Sequence, residues 1–80
     1  MAVVLLWGNQ SAAKDFYEAC CDPNDENILW VNNQRNFLFH ANLIVIFSAD
    51  HPPIPGDAKW ITWSGNHDET LARIMNVLNI

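Results

Sequence analysis

Three apolar runs in this chain each stop at a small polar cluster. Residues 3–7 (Val-Val-Leu-Leu-Trp) run into Gly8, Asn9, Gln10 and Ser11. Residues 43–47 (Leu-Ile-Val-Ile-Phe) run into Ser48, Ala49, Asp50 and His51. Residues 60–63 (Trp-Ile-Thr-Trp) run into Ser64, Gly65, Asn66 and His67. A continuous apolar run of this length suits a strand covered on both faces. The first and third clusters are followed by apolar residues at helical spacing, so strand, polar turn and helix succeed one another. Such units assemble into a mainly parallel sheet through right-handed crossovers. Open sheets of that kind bind ligands in the crevice beyond the carboxyl ends of their strands. The polar clusters therefore mark where a site would lie.

The remaining elements follow from spacing. Residues 2–7 read as the first strand. Ser11 is suited to cap a helix in which Ala13, Phe16, Tyr17 and Cys20 share one face at i, i+3, i+4 and i+7. Asp22, Pro23, Asn24 and Asp25 are turn chemistry and end that helix near Cys21. Residues 28–31 form a second strand, closed by Asn32 and Asn33. Residues 34–42 read as a short helix or helical turn before the third strand, residues 43–47. His51, Pro52, Pro53, Ile54, Pro55, Gly56 and Asp57 make a stiff loop in which helix and central strand are forbidden. Residues 60–63 are the fourth strand. The last helix spans residues 67–78, with Leu71, Ile74, Met75 and Leu78 as its apolar stripe.

The order β-α-β-(short α)-β-β-α predicts one α/β domain over residues 1–80, a small three-layer arrangement of flavodoxin-like or Rossmann-like pattern. Four mainly parallel strands in the order 2-1-3-4, with helices on both faces, are its simplest assembly. No helix joins the third strand to the fourth, so an antiparallel fourth strand is an open alternative. A thioredoxin-like arrangement has the same element string. Asn9, Gln10, Ser11 and Ala12 stand where its redox cysteines would be.

Composition narrows the function classes. A domain of 80 residues buries only about 60% of its unfolded surface, so its stability margin is thin. Nine Asp and Glu outweigh four Lys and Arg, and Lys14, Arg35, Lys59 and Arg73 are scattered. Nucleic-acid binding needs a basic stripe, and none is present. The adjacent Cys20 and Cys21 do not form a CxxC motif, and neighbours about 100° apart on a helix are badly placed for a mutual disulfide. They predict a reduced, cytoplasmic protein. No run reaches the roughly twenty residues that cross a membrane, and residues 1–7 lack the basic flank of a leader.

Gly65, Asn66, His67 and Asp68 resemble the Gly-Asn-His-Asp/Glu signature of calcineurin-like metallophosphoesterases. The resemblance implies a two-metal phosphatase centre in which the Asn and His serve the metals. It covers four of the 80 residues. Its companion motifs, an Asp-x-His on the first strand, a Gly-Asp-x-x-Asp and a Gly-His-x-His, are absent, and such a centre needs ligands from several loops. The same letters suit a helix start, with Asn66 as N-cap and Glu69 completing a variant capping box. No metal site and no cofactor are expected on this reading. His51 and His67 fall at one end of the sheet and His40 at the other, too few together for a tight zinc site.

The other clusters are read in the same way. Gly8 to Ser11 carries one glycine, short of a dinucleotide or Walker A loop. Asp50 and His51 lack a serine in a nucleophile elbow, so no catalytic residue is assigned. The leading expectation is a small non-enzymatic module that docks on a larger protein and modulates it, such as an accessory or inhibitor protein of a phage or mobile element. Its docking edge would be His51, Pro52, Pro53, Ile54 and Pro55 with Trp60, a pre-ordered loop beside a residue type favoured at interfaces. The alternative is a small-molecule or nucleotide-binding domain, with Asn9, Ser11, Ser48, Asp50, Ser64 and Asn66 around a pocket at the strand ends. A third is a self-associating protein, since a four-stranded open sheet has two edges.

Overall fold

A computed structural model describes residues 2–8, 11–47, 53–54 and 56–79. In chain order these form β1 (Ala2–Trp7), α1 (Ser11–Cys20), β2 (Ile28–Asn32), a 3-10 turn (Arg35–Phe37), β3 (Leu43–Ile46), β4 (Lys59–Thr62) and α2 (His67–Leu78). The strands make one sheet in the order β2-β1-β3-β4. Every pairing is parallel, with Val4 beside Trp30 and Leu43, and Ile44 beside Trp60. β4 is thus parallel, and the thioredoxin-like alternative, which ends in an antiparallel hairpin, is set aside.

Handedness decides which connection covers which face. The chain steps from β1 outward to β2, then back past β1 to β3 and on to β4. Right-handed crossovers put connections made in opposite directions on opposite faces. Accordingly α1 lies on the face carrying Val4, Leu6, Leu43 and Val45, where its Phe16 meets Ile74 of α2 in one buried cluster. The link from β2 to β3 and that from β3 to β4 cross the other face. There Phe37, Leu38 and Ala41, with Ile54 and Ala58, pack over Leu5, Val31, Ile44 and Ile46. One side of the sheet is therefore a helix side. Among the described residues, the opposite layer, the turn side, holds one 3-10 turn and no α-helix.

Covering on both faces explains the unbroken apolar runs. Val4, Leu5 and Leu6 of β1 and the whole of β3 are buried. At the edge the pattern fails: Lys59, Trp60 and Thr62 of β4 are exposed and Ile61 is half-buried.

Several expected details shift. The fourth strand runs one residue earlier than its hydrophobicity predicts, from Lys59, leaving Trp63 just beyond its end. Backbone pairing sets that boundary, because Lys59 lies beside Leu43 at the start of β3. Residues 34–42 yield only the short turn, whose cap position Gln34 makes no side-chain cap bond. Ser11 is the first residue of α1 rather than the residue ahead of it, so it is not the cap. The position before it, Gln10, lies outside the described residues.

Candidate functional site

The carboxyl ends of the strands gather two helix starts. Because α1 follows β1 and α2 follows β4 on the same side of the sheet, both N-termini reach one open cleft of about 500 Å³. Ser11 and Asp15 line it from α1, and Gly65, Asn66, His67 and Asp68 from the turn into α2, with Trp63 beneath. Its floor is a ring cluster. Phe16 packs on Phe47 at 5.6 Å and edge-on against His67 at 5.5 Å, while Trp63 lies 5.6 Å from Phe47 and 6.2 Å from His67.

The turn into α2 consumes most of its own polar groups. The Asn66 side chain accepts the Glu69 N–H at 3.0 Å, as an N-cap does. The reciprocal half of the expected capping box is missing: Glu69 Oε1 instead accepts from Arg73 at 3.0 Å. Ser64 takes over part of that role, its hydroxyl oxygen accepting the Asn66 N–H at 3.4 Å and lying 3.2 Å from the buried Thr70 hydroxyl. Gly65, at φ +93°, makes the bend.

The turn after β1 is held from a distance. Asn33, in left-handed conformation at φ 55°, accepts the Gly8 N–H at 2.8 Å and donates its side-chain amide to the Gly8 carbonyl at 2.8 Å. This side chain mimics a strand neighbour where β2 has ended. Gly8 itself is buried at φ 146°.

Two helix N-termini favour negative charge. Here Asp15 and Asp68 already supply it from the walls of the cleft, so a phosphate would meet two carboxylates. His67 Nδ1 and Trp63 Nε1 are buried with no hydrogen-bond partner among the described residues, and both residues line the cleft. Among the described residues no three His, Cys, Asp or Glu side chains come together to hold a metal ion. The metallophosphoesterase-like letters at Gly65 to Asp68 open α2, with Asn66 as its N-cap.

The expected ligand set is brought together in part. Ser11 and Asn66 share the cleft, and Ser64 is one residue from it. Asn9, Ser48 and Asp50 lie outside the described residues. Of the expected docking edge, His51, Pro52 and Pro55 also lie outside them. Pro53 is exposed, Ile54 is half-buried under the turn side, and Trp60 is 52% exposed. Two further exposed side chains escape the sequence reading, Phe39 at 80% and Leu29 at 42%. Within Phe37, Leu38 and Phe39 it is Leu38 that turns inward, and the run itself has no period that marks Phe39 as the outward one.

Burial holds both thiols toward their protonated form. Both cysteines are unpaired and half-buried. Burial, and then the neighbouring Cys20, push the Cys21 thiol up to about 12. Burial raises Cys20 as well, with Asp68 adding to it. Among the described residues no helix is long and apolar enough to cross a membrane. Comparison with protein-family models, with curated proteins and with solved structures returns no match.

Proposed function

We propose that this chain is a small docking module that binds a larger protein and modulates it, in the manner of a phage or mobile-element accessory or inhibitor protein. The observation that carries this reading is the exposure of Phe39 and Trp60. Both belong to the turn side: Trp60 lies beside Ile44 of its core, and Phe39 follows the turn that packs there. Large aromatics left in water on one side of a small domain mark an interaction surface more often than a fold requirement. Pro53, on the way to β4, is exposed as well, and a proline loses little conformational entropy on docking.

The test is a comparative pull-down from an extract of the organism that makes the protein. Wild type is expected to retain a partner that Trp60→Ala and Phe39→Ala each lose while keeping native circular dichroism. An identical set of retained proteins for all three would sink the reading.

The cleft supports a second reading, a small-molecule module. Its walls offer Ser11, Asp15 and Asp68 over an aromatic floor, a mixture suited to a neutral, hydroxyl-bearing ligand. A saturable thermal shift with neutral sugars or nucleosides would favour it over docking.

A further inference from the structure

The two edge strands of the sheet differ in how far the chain covers them. β2 has Ile28, Trp30 and Val31 buried, so the chain's own layers shield it on both faces. β4 leaves Lys59, Trp60 and Thr62 exposed and Ile61 half-buried. The Trp63 N–H donates to the Ile46 carbonyl at 2.9 Å, continuing the ladder and fixing its polarity. In a parallel ladder, alternate residues turn both backbone groups to the same neighbour. Lys59, Ile61 and Trp63 therefore face β3. Trp60 and Thr62 turn N–H and C=O to the outer edge, where the sheet has no further strand. Side chains alternate as well. Trp60 and Thr62, beside Ile44 and Ile46, point to the turn side, and Lys59 and Ile61, beside Leu43 and Val45, to the helix side.

We propose that β4 pairs antiparallel with β4 of a second copy, about a two-fold axis at Ile61, joining two four-stranded sheets into one. Setting Trp60 of each copy opposite Thr62 of the other places both outward-facing residues in hydrogen-bonded pairs, so every outward N–H and C=O of β4 finds a partner. Ile61 then meets Ile61 of the second copy on the helix side, at the closer, non-hydrogen-bonded spacing. On the turn side the two Trp60 rings stand diagonally across the axis, within reach of each other, which takes a 52% exposed side chain out of water. Lys59 is the charged residue of β4. It falls opposite Trp63 of the second copy, a cation across from an aromatic ring, and not opposite another lysine. β4 is thus its own complement in backbone, apolar side chains and charge. That self-complementarity names a second copy, over a foreign strand, as the occupant. The contact is isologous, so it closes at a dimer. β2 would gain backbone bonds alone, since its side chains are already covered. The pairing does not use Phe39 and stands apart from the docking of a larger protein.

Sedimentation velocity on the full chain, from about 10 μM to about 1 mM, spans the range in which small interfaces associate. A reversible dimer is expected. It should tighten as salt rises from about 10 mM to about 150 mM, because two copies at a net charge of −5 each repel. Thr62→Pro is expected to abolish the dimer while keeping native circular dichroism. It removes an N–H that points away from β3, and an edge strand tolerates proline there. Amide exchange on the wild type gives a check that does not depend on that variant folding. Trp60 and Thr62 should gain protection as concentration rises, and the amides of β2 should not. A monomer at about 1 mM overturns the proposal. So does a dimer that a folded Thr62→Pro retains, or one that protects β2 and leaves Trp60 and Thr62 exchanging at the monomer's rate.

Discussion

Asn66 and Asn33 both satisfy backbone groups through a side-chain amide, yet only one of them is readable from local sequence. Asn66 precedes an apolar helical stripe and caps the Glu69 N–H three residues on, a spacing visible in a short window. Asn66→Ala is expected to cost about 1 kcal/mol in urea denaturation, and Asn66→Asp close to nothing. Asn33 acts across 25 residues on Gly8, and no window of sequence contains both partners. Two bonds to a part-buried peptide are lost in Asn33→Gly, a cost of about 2 kcal/mol. Asn33→Ala loses the same bonds and must also hold φ 55° with a Cβ, adding about 1 kcal/mol. Equal costs for the two variants would remove the backbone part of that account. At the same scale, the raised Cys21 thiol links stability to alkaline pH. The thiolate is disfavoured in the native state and free to form in the unfolded chain. The stabilising effect is therefore complete below pH 9, where the unfolded thiol ionises, and is lost as pH rises toward about 12. Stability measured across that window should fall, and Cys21→Ala should flatten the fall.

At the scale of elements, the sequence is most legible where burial is most one-sided. α2 appears over His67–Leu78 with Ile74 fully buried and Leu71, Met75 and Leu78 half-buried around it. Ile74→Ala is expected to cost about 3 kcal/mol and Leu71→Ala clearly less, since only the first leaves an enclosed cavity. A reversed order in chemical denaturation would mean that α2 seats on another face. β1 and β3 are equally legible, because a strand covered on both faces has no choice but to be apolar throughout. The edges are less so. β4 begins at Lys59, since ladder pairing to Leu43 outweighs side-chain character there. The stretch between β2 and β3 crosses the sheet with one 3-10 turn, and its Phe37, Leu38 and Ala41 share the cover of the core beneath with Ile54 and Ala58. Nothing in its composition announces so thin a layer. The cleft is legible in location, at the strand ends, and in two of its members, Ser11 and Asn66. The part played by Asp15 depends on how α1 lies beside α2, which is a tertiary matter.

For the whole molecule, excess negative charge is the dominant property beyond the fold. With nine acids against four bases, self-repulsion opposes compaction at low ionic strength. The Tm is expected to rise as salt increases from about 10 mM to about 150 mM, as the Debye length shortens toward 8 Å. A Tm that falls over that range would mean that attractive pairs outweigh the repulsion.

The strand order has one consequence for how the chain reaches this state. β1 is the earliest strand in the sequence but an interior strand of the sheet, bonded to β2 on one side and β3 on the other. Its backbone groups toward β3 find partners only when residues far down the chain have closed back over it, so loop-closure entropy falls on this one encounter. A folding nucleus built on α1, β1 and β2 would still present a bare apolar edge. The arrival of β3 along that edge is thus the step at which the chain ceases to be adhesive and becomes native, and the amides of β1 facing β3 should be among the last to exchange with solvent.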